Sequence, residues 1–198
     1  MTGAQGSVPR PDGAAPLPRH HPDCFACGDL PGGLRLRFAD PGPDDAGRSA
    51  VTGTFTVGEA HQGAPGLAHG GTLAATMDEL FGALQHHLDE VYVTAELTTR
   101  YRAPVPLHAT LQLRAWIESR EGRKLWVAGE GRLGEPGGPV AVTATALFLA
   151  VPLSHFASHA AQGTDFSVVG RGSARHAGER GGDPVRSPGD DPQPRTGR

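Results

Sequence analysis

The chain has 198 residues and a formal net charge of −3. That length suits one domain, and the charge gives no reason to expect nucleic acid or an anionic membrane as partner. No stretch approaches the ~20 apolar residues that span a bilayer, and the N-terminus lacks the apolar core of a signal peptide. Two cysteines make no disulfide framework. A cytosolic protein is expected.

The 29 Gly and 18 Pro are spread unevenly. Residues 1–21 lack any apolar run, and the stretch from about Gly170 to Arg198 holds no aromatic residue. Neither end buries enough apolar surface to offset its ordering entropy. The expected organisation is therefore a disordered segment over 1–21, a domain over 22–152 and a mostly disordered tail over 153–198.

The domain opens on Cys24-x-x-Cys27, followed by Gly28 and Pro31-Gly32-Gly33. A redox pair normally opens a helix, whereas these glycines and the proline mark a turn. A zinc site needs four ligands. His20, His21 and His61 are available to complete one, but no second clustered pair exists. The expectation is a structural turn, with no metal and no cofactor.

Leu34–Phe38 and Ala50–Val57 are short strand candidates separated by a turn-rich loop. Leu73, Met77, Leu80, Phe81, Leu84 and Leu88 then form one apolar stripe, which predicts a helix from Gly70 to about Leu88. Four strands follow: Val91–Arg102, His108–Ser119, Lys124–Leu133 and Val140–Val151. The last is almost continuously apolar and is expected to be central and buried on both faces. A three-residue loop at Arg120-Glu121-Gly122 predicts that Glu118 pairs with Lys124 and Trp116 with Trp126. One long helix after the second of six strands predicts an α+β fold, an antiparallel sheet curled around a single helix.

Chemistry is expected where the helix begins. Gly70 and Gly71 leave the N–H groups of the first turn unshielded, at the positive end of the helix dipole. They suit a developing oxyanion, or they simply let the turn pass close to the sheet. Asp78 lies at the edge of the apolar stripe on a strip of small residues, Gly71, Ala74, Ala75 and Gly82, which leaves room for a ligand to approach. An ion-paired helix Asp fits the same position. Glu79 shares a more polar strip with Thr72, Thr76 and His86, expected to meet solvent. Neighbouring carboxylates diverge by ~100° on a helix, so Asp78 and Glu79 do not form an acid/base pair.

His69-Gly70-Gly71-Thr72-Leu73-Ala74-Ala75-Thr76-Met77-Asp78-Glu79 resembles the signature of the hotdog-fold thioesterases of the PaaI-like group. The strand from Thr94 to Pro106, with its aromatic-x-x-Pro end, and the opening Cys24-Phe25-Ala26-Cys27-Gly28 are similar to other parts of that family. The resemblance implies a hotdog fold of five to six strands and hydrolysis of an acyl-CoA thioester. Asp78 would be general base or nucleophile, the Gly70 N–H the oxyanion donor, and Thr94 would help position the water. His69 would shape the turn and contact the acyl carbonyl, or be structural.

Gly71, Gln62, Glu79, Arg100 and Arg102 complete the substrate-binding candidates. Arg100 and Arg102, with Arg123 and Lys124, meet the phosphates of coenzyme A or are the solvated face of a strand. One departure stands out. Many members carry an Asn or Gln where this chain has Gly63, and Gln62 is the available substitute. A module that binds acyl-CoA without hydrolysing it is the alternative; the Asp-to-His spacing of a hydratase on this fold is not found.

Gly70 and Asp78 are eight residues apart, roughly 12 Å along a helix. One thioester carbonyl does not reach both, so the two groups are expected from different chains. Paired hotdogs in the family agree. The expectation is an isologous homodimer or a dimer of dimers.

Overall fold

A computed structural model describes residues 14–162 and 164; the rest of both termini lies outside the described residues. Seven strands form one antiparallel sheet: β1 (Ala15–Pro16), β2 (Arg37–Asp40), β3 (Ala50–Thr56), β4 (Val91–Tyr101), β5 (Thr110–Glu121), β6 (Lys124–Leu133) and β7 (Val140–Val151). Their order across the sheet is β1-β2-β3-β5-β6-β7-β4. Helix α1 (Gly70–Ala83) lies against β3 to β7, and a short α2 (Ser154–His159) follows the sheet. This is the α+β architecture expected, with one more strand.

The helix is held by its apolar stripe. Leu73, Met77, Leu80 and Phe81 are all buried, against Val51, Phe55, Leu111, Leu113, Leu125 and Val127 of the sheet's inner face. Each fully buried aliphatic or aromatic side chain contributes about 1.5–3 kcal/mol relative to exposure. Gly129 lets β6 pass beneath the helix: a Cβ there would lie 2.8 Å from Phe81 Cε1.

Several expected boundaries shift, each for a local reason. Helix α1 stops at Ala83, and residues 84–87 tighten into a 3₁₀ turn; the Leu84 N–H bonds back to Phe81 and Gly82 carbonyls. Leu34 and Leu36 are buried outside any strand, donating to the carbonyls of Phe25 and Ala26, and Arg35 at φ 53° breaks the extended run. The β5–β6 register differs from the predicted one. Glu121 faces Lys124 across a two-residue turn with Gly122 at φ 54°, and an irregularity between Ile117 and Ser119 puts Trp116 opposite Ala128 and Ser119 opposite Trp126. Trp116 instead lies under the Arg48 guanidinium, 4.7 Å from the ring centre.

Strand β7 is interior to the sheet, as expected, but from Val142 onward only alternate residues are buried; Ala144, Ala146 and Phe148 face the core while Thr145 is exposed. Thr76, expected on a solvent-facing strip, is 1% exposed and donates its hydroxyl to the Thr72 carbonyl at 2.9 Å. Residues 14–21 fall in the segment whose composition predicts no structure. They nonetheless hold β1, which pairs Ala15 with Asp40, and the Leu17 N–H donates to Phe38. Pairing with an existing sheet edge supplies what their own composition does not.

Candidate active site

His69 begins the site. Its extended backbone (φ −68°, ψ 134°) makes it the N-cap of α1, and its Nδ1 accepts from the Gly71 N–H at 2.9 Å. An accepting Nδ1 puts the proton of a neutral ring on Nε2. The Thr72 and Leu73 N–H groups turn back to the His69 carbonyl. Of this first turn, the Gly70 N–H alone has no acceptor among the described residues. The Tyr101 hydroxyl donates to the Gly70 carbonyl at 2.9 Å. Gly70 and Tyr101 line a cavity of about 310 Å³ together with Arg102, Pro104 and Val105.

Asp78 faces a different space. It lines a cavity of about 710 Å³ whose walls include Leu17, Leu36, Phe38, Tyr92, Val93, Phe148 and Phe156. The Thr94 hydroxyl donates to Asp78 Oδ1 at 2.8 Å across the gap between β4 and α1. Thr94 sits at an irregularity: it faces Phe148, the next pair is Glu96 with Leu147, and Ala95 is the extra residue. Such bulges re-aim side chains and recur beside active sites.

Glu79 does not meet solvent as expected. The N-terminal segment covers it, and its side chain is 16% exposed. Its Oε1 lies 3.1 Å from His20 Nδ1, and the Cys24 thiol donates to Oε2 at 3.8 Å. Burial pulls the Glu79 carboxyl upward, but hydrogen bonds from His20 and Cys27 outweigh it and hold it below the usual range. The Cys27 and Glu79 contacts raise His20 in turn.

The other candidates divide. Gln62 lines neither cavity; its side-chain oxygen accepts the Gly66 N–H at 2.8 Å and so fastens the turn before α1. Position 63 has no room for a polar arm, because a Cβ there would lie 2.8 Å from His69 Cα. Arg102 borders the Gly70 cavity, while Arg100 is exposed on β4 and lines neither. The rings of His21 and His61 are engaged elsewhere: His21 Nδ1 accepts from the Asp23 N–H and His61 Nδ1 from that of Gly58, while the His21 carbonyl accepts from the Cys24 N–H and the Cys27 thiol. Tyr101 is a site residue that sequence reasoning misses, and His20, considered from the sequence only as a partner for the cysteines, is joined here to Glu79 as well. The aromatic-x-x-Pro end of β4 is the available signal for Tyr101, whereas nothing in the spacing joins His20 to a helix residue 59 positions later.

The sheet wrapped on one helix, with an acid two turns into that helix, defines an α+β protein of the hotdog class. Residues 65–140 match the model of the thioesterase superfamily. It is 34% identical over 95 residues to acyl-coenzyme A thioesterase THEM4 of Xenopus laevis, covering 48% of this chain and 42% of that protein. It is 34% identical over 74 residues to acyl-coenzyme A thioesterase THEM5 of Mus musculus, covering 37% and 30%. The match thus spans less than half the length of these relatives. A crystal structure of a thioesterase superfamily protein superposes with TM-score 0.50 at 34% identity, covering 58% of this chain and 53% of the other. The PaaI protein of E. coli superposes with TM-score 0.52 at 16% identity, covering 60% and 81%, a likeness of fold.

Proposed function

We propose that the chain hydrolyses acyl-CoA thioesters, with Asp78 as general base and the Gly70 N–H of the partner subunit as oxyanion donor. The observation that carries this reading is the Thr94–Asp78 hydrogen bond at the wall of an apolar cavity of about 710 Å³. One carboxylate oxygen is fixed by Thr94, leaving the other to take a proton from water. The water oxygen then bonds to the thioester carbon, and the carbonyl oxygen gains negative charge. As the C–S bond breaks, the thiolate takes the proton that Asp78 accepted. Backbone N–H groups aimed at the developing charge, such as that of Gly70, act strongly in a water-poor site. His69, with its proton on Nε2, offers a second donor beside Gly70. Arg102, at the rim of the Gly70 cavity, suits the phosphates of coenzyme A.

A homodimer fits the assignment. Gly70 and Asp78 open onto separate cavities of one chain, in keeping with their roughly 12 Å separation on α1. Strand β4 is an eleven-residue edge, and an unpaired edge of that length is a template for pairing with a second chain. A dimer of such dimers is compatible with the same surfaces. Among the described residues no helix is long and apolar enough to cross a membrane, and a cytosolic site of action fits the reading.

The absence of a polar arm at Gly63 favours a second reading, a module that binds acyl-CoA without hydrolysing it. Thiol release from a panel of acyl-CoAs separates the two. Release by the native chain, lost in Asp78→Asn, supports the hydrolase. Tight binding with no release from any acyl-CoA overturns it.

A further inference from the structure

Beside the catalytic helix lies a cluster that hydrolysis does not use. His20, Cys24, Cys27 and Glu79 each offer one ligand atom, and these lie within 4.8 Å of one another. His20 Nδ1 is 3.2 Å from Cys27 Sγ and 3.1 Å from Glu79 Oε1, and Cys24 Sγ is 3.8 Å from Glu79 Oε2. Ligands on a tetrahedral zinc, at bonds of about 2.0–2.3 Å, stand roughly 3.3–3.8 Å apart. Those three pairs lie close to that spacing, and every pair lies within 4.8 Å.

The turn that carries the cysteines is built for convergence. Gly28 returns its N–H to the Cys24 carbonyl at 2.9 Å, and a Cβ at position 28 would fall 2.3 Å from the Pro22 oxygen. Only glycine closes this turn. The Ala26 N–H donates to Cys24 Sγ at 3.3 Å, the kind of outer contact that steadies a thiolate ligand. Arg37 fastens the Cys27 carbonyl at 2.9 Å. Both cysteines are free thiols, and Cys27 is buried.

We propose that His20, Cys24, Cys27 and Glu79 bind one structural zinc ion that staples the N-terminal segment to α1. Two thiolates with an imidazole and a carboxylate select zinc over hard cations such as magnesium. Four protein ligands fill the tetrahedron, so the site is closed and takes no substrate. Binding releases the two thiol protons and the extra proton of the His20 imidazole to solvent, and the ion joins residues far apart in sequence, so its affinity adds to folding stability. The sequence alone predicts no metal, because the fourth ligand comes from the helix and not from a second local pair. His20, Cys27 and Glu79 also border the Asp78 cavity, so the ion holds one of its walls.

The test uses the full chain, purified under reducing conditions, desalted, and assayed for zinc and for cobalt(II) uptake. About one ion per chain is expected, with the visible spectrum of tetrahedral cobalt bound by two thiolates. Zinc should protect both cysteines from a thiol reagent and raise Tm. Cys24→Ser and Cys27→Ser should each lose the cobalt–thiolate absorption. Glu79→Gln should weaken zinc by about 100-fold or more, since even outer contacts are worth 10–100-fold. A folded, reduced chain that takes up neither metal overturns the proposal. So does a Cys24–Cys27 disulfide that persists under those conditions, or unchanged stoichiometry in either Ser variant. Metal content and thiol protection are read without any acyl-CoA, so this result stands apart from the hydrolase assay.

Discussion

Thr94 reaches from β4 to α1 and donates its hydroxyl to Asp78 at 2.8 Å. It does so from beside the one irregularity in the β4–β7 pairing. The bond holds one oxygen of the carboxylate and leaves the other outside it. Asp78→Asn should lower kcat for thiol release by about 10²–10⁴-fold, the usual worth of a positioned general base. Thr94→Ala should cost less, about 10- to 100-fold, with Thr94→Ser recovering most of it, since a hydrogen bond to a charged group is worth about 1.5–3 kcal/mol. Loss in Thr94→Ala as deep as in Asp78→Asn would assign the hydroxyl a larger part than positioning.

Gly70 offers a test of which chain supplies which group. It is the first residue of α1, where proline is tolerated, and the extended backbone of His69 suits the residue before a proline. Gly70→Pro therefore deletes one N–H with the helix retained. When Gly70→Pro and Asp78→Asn chains are mixed equally after unfolding together, half the dimers carry one of each. Sites shared between chains leave each mixed dimer one intact site, so about 25% of native activity should return. Sites built within one chain return none.

Gly63 stands where relatives of the resembled family carry a polar arm, and the packing gives the reason for its being glycine. A Cβ at this position would lie 2.8 Å from His69 Cα, so Gly63→Asn should not add activity. It should instead destabilise the fold by about 1–3 kcal/mol, the usual cost of overpacking, seen as a lower urea midpoint.

Phe81 and Gly129 meet where α1 crosses β6. Phe81→Ala removes a ring that is 1% exposed and should cost about 3–5 kcal/mol in chemical denaturation. Gly129→Ala places a methyl 2.8 Å from both Phe81 Cε1 and the Arg114 oxygen, and should also destabilise, by overpacking rather than by a cavity. The double variant should then cost less than the sum, because the lost ring makes room on one side.

Asp44 ties the loop before β3 to Arg48 and Arg114. The Arg48 backbone N–H, then its side chain, hold the Asp44 carboxyl below its ordinary value of 3.8. A lowered acid stabilises the fold above its unfolded value and loses that contribution as pH falls through the folded one. Tm should therefore differ between native chain and Asp44→Asn above about pH 5, and the gap should narrow as pH falls below the ordinary value of 3.8. A gap constant across that range would mean the contribution is not ionic.

The apolar periodicities make most of the architecture legible. Lys124–Leu133 and Val140–Val151 have the bounds that alternation predicts, and the buried stripe Leu73, Met77, Leu80, Phe81 is the one read from spacing. The β5–β6 register is not legible, because pair preferences assume an unbroken ladder and the irregularity near Glu118 leaves no mark in composition. Asp78 and Thr94 are both identifiable from the sequence, and the structure joins them by a hydrogen bond. Glu79 is misplaced in solvent because periodicity describes a helix by itself. What covers that face is the chain's own N-terminal segment, through His20 and Cys24, and no local pattern carries such a contact.

That covering segment lies wholly outside the stretch shared with the superfamily model, residues 65–140, yet Leu17, His20, Leu36 and Phe38 form much of the wall facing Asp78. The acid proposed to do the chemistry and the surface that sizes its ligand are therefore separately mutable. A change in the first forty residues can therefore reshape that cavity and leave Asp78 and its Thr94 partner in place. The cavity wall and the acid it faces lie on different stretches of one chain, and each is free to drift at its own pace.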